Sequence, residues 1–179
     1  MSETRLVVDQ LKFTYEGIFD MPGLHQMISN FFYERGWDWI EKLNTEQIFP
    51  TGRSVKIELR PFKNITDYYK NIIRIRIYGT NIKSIEVEQG GSRIPLYEGK
   101  LMIIFDGYVM SDRYNKWENK PIWWFIRTLM DKYVFKDHMS KADQWLYSDL
   151  EDLYLRIKTF MNVYRYVRER NMISHQVLG

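Results

Sequence analysis

Three histidines, His25, His138 and His175, are the side chains best suited to metal or proton chemistry. None of them belongs to an HxH or HExxH spacing, and the chain contains no cysteine that would complete a zinc site. The lack of cysteine also excludes disulfides and thiol nucleophiles. We therefore predict no metal centre and interpret each histidine as a solvated or capping residue.

Carboxylates offer a second route to chemistry, because a pair held in one pocket at separated pKa values acts as acid and base. Glu16 and Asp106 are the candidates, since each lies on or beside an apolar strand. We favour the simpler interpretation, in which Glu16 faces solvent and Asp106 begins to turn its strand. Gly90-Gly91-Ser92 lacks the lysine of a phosphate loop and the strand-to-helix setting of a hydrolase elbow. No catalytic residue and no cofactor is predicted.

Cations on the predicted strands suggest a basic sheet face of the kind that binds nucleic acid, with two tyrosines nearby. The residues are Lys12, Lys56, Arg60, Arg74 and Arg76, with Tyr68 and Tyr69. The register predicted below pairs Arg74 and Arg76 with glutamates, and the formal charge of the whole chain is only +3. A nucleic-acid partner is therefore not expected.

The most unusual local feature is the aromatic cluster Trp123-Trp124-Phe125. It lies in a predicted helix, Ile122 to Phe135, that is apolar around much of its circumference, so the helix is buried in its own domain or against something else. Nearby cations suit an anionic membrane surface or a protein partner, and tryptophan at interface cores favours the protein. We predict a ligand or interface site formed by Trp123, Trp124, Phe125, Trp117, Tyr114 and Phe105.

The composition is that of a globular protein, with 45% hydrophobic, 27% charged and 16% aromatic residues. We predict one domain over residues 1–179, with 171–179 a flexible tail. The first residues, MSETRLVVDQ, lack the apolar core of a secretory signal, and no run of 18 apolar residues could span a membrane. A cytoplasmic protein is the simplest interpretation.

The N-terminal part of the chain alternates and then becomes helical. Leu11 to Ile18 has the period of a half-buried strand. Pro22 is placed for a helix start, and apolar residues then recur at helical spacing until Gly36. Trp37 to Ile40 is predicted to begin a second short helix, and the stretch from Asn44 to Arg53 is predicted to be a loop.

The middle of the chain is predicted to be a run of strands from about Ser54 to Met110. Gly79-Thr80-Asn81 is a turn cluster between two alternating segments. Folding the chain about Asn81 sets Arg76 opposite Glu86 and Arg74 opposite Glu88, on an exposed face. This predicts a hairpin of strands 72–78 and 83–89. Gly90-Gly91 and Glu98-Gly99 predict two further turns.

The C-terminal part is predicted to be helical. After the aromatic helix, a break is expected from Asp137 to Ser140, where Ser140 and Asp143 resemble an N-cap with an acidic third position. A long helix from about Ala142 to Tyr166 follows. We expect its apolar stripe to pack on the concave side of the sheet: Leu146, Leu150, Leu153, Ile157 and Met161.

The order strand, two short helices, strand meander and long terminal helix resembles the helix-grip fold of the START and polyketide-cyclase-like superfamily. The resemblance covers roughly Leu6 to Arg170 and is one of element order, without a sequence motif. It implies an α+β fold, in which a curved antiparallel sheet of about six strands, with two short N-terminal helices and long C-terminal helices, encloses a cavity. The extra helix before the terminal one departs from that order.

The resemblance implies a non-enzymatic binding protein with an apolar cavity or groove for a hydrophobic small molecule or lipid. An alternative is a structural or assembly subunit that docks into a partner or a homo-oligomer through its aromatic helix. A third hypothesis is a cyclase-type enzyme, which would require a paired acid and base inside the pocket.

Overall fold

The computed structural model describes residues 3–50, 52–66, 69–89, 92–111 and 136–177, with the side chains of 4–50, 52–66, 69–87, 93–111 and 141–164. The elements within these ranges, in chain order, are β1 (Glu3–Phe19), α1 (Met21–Glu34), β2 (Glu41–Phe49), β3 (Gly52–Leu59), β4 (Phe62–Asn64), β5 (Tyr69–Gln89), β6 (Ser92–Ser111) and α2 (Lys136–Val177).

The strands form one six-stranded sheet in the order β1-β6-β5-β3-β2, with β4 paired to β5. Every strand pair is antiparallel. Inward-facing residues of β5 and β6, such as Ile75 and Phe105, are fully buried in the same core cluster as residues of both helices. The predicted α+β class and the antiparallel six-stranded sheet are confirmed.

Helix α1 begins and ends where the sequence predicts. The side chain of Asp20 accepts a hydrogen bond from the Gly23 backbone N–H at 3.0 Å, which caps the first turn beside Pro22. Gly36 follows the helix in a left-handed conformation with φ +68°. The predicted apolar stripe is buried at Leu24, Ile28, Phe31 and Phe32.

Helix α2 packs its predicted stripe on the inner face of the sheet. Leu146, Leu150, Leu153, Ile157 and Met161 are all buried and share one core cluster with the strands. This prediction is confirmed. The predicted break at 137–140 is wrong, because α2 is already helical from Lys136. Asp143 instead pairs with Arg5 at 2.6 Å, so its side chain serves a tertiary contact rather than an N-cap.

The predicted hairpin about Asn81 is also wrong. Residues 69–89 form one continuous strand, and Arg74 and Arg76 lie opposite Asp106 and Ile104 of β6. Glu86 lies opposite Pro95, and its carboxylate is 3.7 Å from the guanidinium of Arg93. The alternation on either side of Asn81 therefore belongs to one long strand.

A β-bulge takes the place of the predicted turn. The β5–β6 register passes from Thr80↔Lys100 to Lys83↔Glu98, so Asn81 and Ile82 both lie opposite Gly99. Asn81 has φ +55°, a left-handed conformation that asparagine tolerates. A Cβ at Gly99 would lie 3.0 Å from the Ile82 Cα, so glycine is needed for this close approach. The predicted turn at Glu98-Gly99 is likewise wrong, since β6 continues through it.

Two N-terminal predictions need correction. Residues 37–40 are not a second short helix, because Asp38 bridges Phe62 through backbone hydrogen bonds of 2.8 and 3.0 Å. The stretch from Asn44 to Arg53 is not a loop, since most of it lies in the paired strands β2 and β3. Pro50 and Gly52 favoured a loop there, and the pairing of β2 to β3 overrides that local signal.

The predicted helix Ile122 to Phe135 lies outside the described residues. The single-domain prediction, with a tail at 171–179, stays a prediction. No helix in the described part of the chain is both long and apolar enough to cross a membrane.

Candidate functional site

A cavity of about 290 Å³ lies between the N-terminal half of α1 and the inner face of β2, β3, β5 and β6. We call it the α1 cavity. Its apolar lining is formed by Met21, Pro22, Val55, Ile57, Ile82 and Tyr97, and its polar lining by His25, Glu41, Asn44, Glu46 and Arg53. This volume is close to the lower end of ligand sites, which span about 300–1,000 Å³.

The bulge at Asn81 shapes the apolar floor of the α1 cavity. In an unbroken strand Ile82 would point to the outer face, opposite to Ile77 and Gly79. The extra residue turns it inward, where it is buried over Gly79. A Cβ added at Gly79 would clash with the Ile82 Cδ1, so glycine leaves the room that Ile82 occupies. Ile82 thus joins Ile57 in the floor.

A hydrogen-bonded pair, His25 with Glu41, and an ion pair, Arg53 with Glu46, form the polar rim of the α1 cavity. The His25 Nε2 lies 3.3 Å from the Glu41 Oε2, and Arg53 donates to the Glu46 Oε1 at 3.0 Å. The Arg53 guanidinium also lies 5.4 Å from the ring centroid of Tyr97. The side chains of His25 and Glu41 are each about one third exposed, so they meet both the cavity and solvent.

The structure thus places His25 at the rim of the α1 cavity, which the spacing of the histidines in the sequence did not indicate. His25 and Glu41 are 16 positions apart and lie on a helix and a strand, so no short motif joins them. The pair can orient an imidazole for hydrogen bonding or proton transfer. The side chains of His138 and His175 lie outside the described residues.

A second cavity, of about 350 Å³, lies between α2 and the β4 end of the sheet. We call it the α2 cavity. It is lined by Trp37, Lys63, Ile65, Asn71, Trp145, Ser148 and Asp149. Trp37 is buried, whereas Trp145 is 54% exposed on the helix surface. The cavity therefore has a buried wall and an open one.

Asp149 anchors one side of the α2 cavity. It accepts a hydrogen bond from the Trp37 Nε1 at 2.9 Å and another from Arg35, which also contacts Asp152. Burial opposes the charge of Arg35, but the two carboxylates outweigh it and raise the pKa of Arg35 above its usual value. This wall is therefore fixed by charge-assisted hydrogen bonds.

Asn71 lies on the opposite side of the α2 cavity and is only 1% exposed. Its Nδ2 donates to the Ala142 carbonyl at 3.0 Å. Its Oδ1 is buried and has no hydrogen-bond partner among the residues that the structure describes. A buried amide oxygen without a partner is uncommon in folded proteins, because its desolvation is not compensated.

The two carboxylates considered from sequence are not brought together. Asp106 is 1% exposed and lies on the sheet face opposite to both cavities. Its carboxylate accepts from Arg74 at 2.9 Å, Arg76 at 2.8 Å and the Gln10 backbone N–H at 3.1 Å. Glu16 is exposed and lies 3.8 Å from Lys100. Asp106 is therefore the centre of a structural ion cluster.

Of the six residues predicted to form a ligand or interface site, the structure describes Phe105. It is fully buried in the main core, 6.4 Å from the ring centroid of Tyr154 on α2. Phe105 is not among the lining residues of either cavity. Tyr114, Trp117, Trp123, Trp124 and Phe125 lie outside the described residues. Within the described ranges no three histidine, aspartate or glutamate side chains converge as a metal site would need.

Comparison with known proteins gives no further assignment. No protein-family model matches this chain, and neither the curated proteins nor the solved structures contain a significant match. The geometry of the two cavities is therefore the basis for any functional inference.

Proposed function

We propose that this protein is a non-enzymatic binding protein, which holds a small hydrophobic ligand in the α1 cavity. The observation that carries the proposal is the division of that cavity into an apolar floor and a charged rim. Ile57 and Ile82 form the floor, and Arg53 with Glu46 lies at the rim. Binding sites commonly combine apolar walls with a few polar groups that orient the ligand.

The volume narrows the class of ligand. A cavity of about 290 Å³ suits a single ring system or a short alkyl chain rather than a two-chain lipid. The rim carries Glu41 and Glu46 against Arg53, so a ligand with a hydroxyl or amino group is favoured over a carboxylate. The resemblance to the helix-grip superfamily supports the same kind of function, since those domains enclose a cavity between sheet and helix.

A cavity-filling variant tests this proposal. Val55→Phe places a larger side chain in the α1 cavity, whereas Val163→Phe adds the same ring at a 59% exposed position on α2. Native mass spectrometry of each purified protein, alone and with 1-octanol or octylamine, reports bound ligand and stoichiometry together. We expect a bound small molecule on the wild type and on Val163→Phe, and none on Val55→Phe.

The same adducts on all three proteins would contradict the assignment to this cavity. The absence of any adduct on the wild type, with both probes at millimolar concentration, would contradict ligand binding itself. Circular dichroism of Val55→Phe serves as the control for folding.

A second candidate function is assembly, and the edge of the sheet favours it. All nine residues of β2 are exposed, with Ile48 at 80% and Phe49 at 50%. Within the described sheet β2 pairs only with β3, so its other side offers free backbone donors and acceptors. A second copy of this chain would satisfy them by antiparallel pairing about a two-fold axis.

Light scattering tests the assembly function. If β2 pairs with β2 of a second copy, the wild type should be a dimer and Ile48→Lys a monomer. Leu155→Lys, on the exposed side of α2, should remain a dimer. A wild-type monomer at high concentration would exclude self-association through β2.

A further inference from the structure

The outer face of the sheet, opposite to both cavities, carries a cluster of cations. In β1, β3 and β5 the residues that pack on the core are odd-numbered, such as Phe13, Ile57 and Ile75. Alternate residues of a strand face opposite sides, so their even-numbered neighbours share the outer face. We call this surface the basic face, and its cations are Lys12, Lys56, Arg60, Arg74 and Arg76.

The basic face is continuous across four strands. The register aligns Lys12 with Ile104 and Ile104 with Arg76. Arg76 lies opposite Glu58, whose carboxylate accepts from Arg60 at 2.7 Å. This row crosses β1, β6, β5 and β3, which is three strand spacings or about 14 Å.

The charge of the basic face differs from the sequence-based expectation. The predicted register gave Arg74 and Arg76 a glutamate each, whereas in the structure they share Asp106. Glu58 is the second carboxylate among the five cations, which leaves an excess of three positive charges. The pairing that argued against a nucleic-acid partner is therefore absent.

The carboxylates lie beneath the cations. Asp106 is buried, whereas the two arginines that it binds are partly exposed. The side chain of Glu58 is 18% exposed, against 45% for Arg60. Both lysines of the basic face are exposed. A partner that approaches this face therefore meets ammonium and guanidinium groups before it meets a carboxylate.

Two half-buried tyrosines lie among these cations. Tyr78 is opposite Lys56 in the β3–β5 ladder, and the Lys56 Nζ lies 5.7 Å from its ring centroid. The guanidinium of Arg74 lies 5.7 Å from the ring centroid of Tyr108. Each ring is therefore next to a cation of the basic face.

These rings differ from the two that the sequence suggested. Tyr69 is buried in the core, and Tyr68 lies outside the described residues. Proteins that bind single-stranded nucleic acid combine cations that follow the phosphates with aromatic rings on which bases stack. Tyr78 and Tyr108 supply the rings on the same face as the cations.

We propose that the basic face binds single-stranded nucleic acid, with phosphates on its cations and bases against Tyr78 and Tyr108. A duplex is disfavoured, because its bases are stacked on one another and cannot reach the rings. An anionic membrane is also disfavoured. Membrane-binding faces insert apolar side chains, whereas Ile104 at the centre of this face is buried.

Fluorescence anisotropy of the full chain with labelled oligothymidylate of about 12 nucleotides tests the proposal. We expect binding at micromolar protein concentration in about 50 mM salt. Neutralising about three phosphates predicts a loss of about twentyfold in affinity at about 200 mM salt. An abasic oligomer of the same length keeps the phosphates and lacks the bases, so it should bind about tenfold more weakly.

Three variants locate the contact. Lys12→Gln and Lys56→Gln should each weaken oligothymidylate binding about five- to tenfold and reduce its salt dependence. Lys158→Gln, at an exposed position on α2, makes the same change in total charge and should leave binding unchanged.

A fourth variant tests stacking. Tyr78→Leu should weaken binding of oligothymidylate but not of the abasic oligomer, whereas a merely structural role would weaken both. The lysine variants are at exposed positions, so they keep the test valid if Tyr78→Leu folds poorly.

Three results would overturn the proposal. The first is no binding of oligothymidylate in about 50 mM salt at about 100 μM protein, a concentration that detects non-specific affinities. The second is equal weakening by Lys158→Gln and the two lysine variants of the basic face. The third is equal affinity for oligothymidylate and the abasic oligomer, or tighter binding to phosphatidylserine vesicles, which would indicate a general anion-binding surface or a membrane contact.

Discussion

Arg74 donates from its Nε to the Oδ2 of Asp106 at 2.9 Å, directly across the β5–β6 ladder. Asp106 also accepts from Arg76, so one carboxylate balances two guanidinium groups that are 28% and 21% exposed. Burial opposes the charge of Arg74, but the carboxylate outweighs it and raises the pKa of Arg74. Asp106 therefore holds together two cations that would otherwise repel each other.

Removing that carboxylate should destabilise the fold strongly. Asp106→Asn leaves two arginines facing an uncharged amide. Breaking a buried ion pair costs about 3–5 kcal/mol, and these arginines are partly solvated. We therefore expect the free energy of unfolding to fall by about 3 kcal/mol, at the lower end of that range. Urea denaturation measures the change. Glu16→Gln breaks an exposed pair and should stay within about 0.5 kcal/mol of wild type. If the two variants lowered the free energy of unfolding equally, the buried Asp106 cluster would stabilise the fold no more than an exposed ion pair does.

The stripe of α2 gives a second prediction. Leu153 is fully buried and Leu155 is 51% exposed on the same helix. Leu153→Ala should lower the free energy of unfolding by roughly 2–5 kcal/mol, because it leaves a cavity in the core. Leu155→Ala should change it by less than about 0.5 kcal/mol. An unchanged melting curve for Leu153→Ala would contradict the packing of this face.

The bulge in β5 gives a third prediction. In Gly99→Ala the new Cβ would lie 3.0 Å from the Ile82 Cα and 3.1 Å from the Asn81 carbonyl oxygen, and backbone atoms cannot move aside cheaply. We expect a loss of about 1–3 kcal/mol in thermal or urea unfolding. Asn81→Gly, at the same bulge, keeps the left-handed conformation and should have little effect. A neutral Gly99→Ala would mean that the bulge relaxes freely.

Tyr164 gives a pH prediction. Burial, the charge of Asp20 and a hydrogen bond to Asp20 raise the pKa of Tyr164 above its usual value of about 10. The folded state therefore holds the phenol proton more tightly than the unfolded state. This contribution is fully present below about pH 10 and is lost as the pH rises through the folded-state pKa.

Tyr164→Phe should therefore be less stable than wild type by about 1 kcal/mol at neutral pH, and the difference should shrink above about pH 10. Urea unfolding of both proteins at neutral pH and above about pH 10 measures this difference in the free energy of unfolding. Tyr33→Phe, at an 85% exposed site, is the control for loss of a phenol hydroxyl and should change stability at neutral pH by less than about 0.5 kcal/mol. A constant deficit for Tyr164→Phe across this range would exclude the coupling to Asp20.

The periodic spacing of apolar residues correctly predicted those helices and strands whose buried face can be read from a short stretch of sequence. The stripes of α1 and α2 and the alternation of β1 required only the spacing of apolar residues. The Asn81 hairpin failed, because Gly79-Thr80-Asn81 is as suitable for a bulge as for a turn and the alternation reads the same on both sides. Pairing with β6 decides between them, and that partner is distant in sequence.

The cavities were not predictable for the same reason. Trp37 and Asp149 are joined by a hydrogen bond across 112 positions, and His25 meets Glu41 across two elements. Lys63 and Asn71 meet only because β4 turns back on β5. Each contact depends on strand register, which the sequence determines through the whole sheet rather than through a local motif.

The place of β1 in the sheet has a consequence for biosynthesis. Within the described sheet β1 pairs only with β6, and Gln10 meets Asp106 across 96 positions. A ribosome adds roughly 5–20 residues per second, so about 5–20 s pass between the synthesis of these two residues. During that interval Leu11 and Phe13 have no neighbouring strand to cover them. We therefore expect the apolar side chains of β1 to stay uncovered on the nascent chain until β6 emerges, and slower translation to lengthen that exposure.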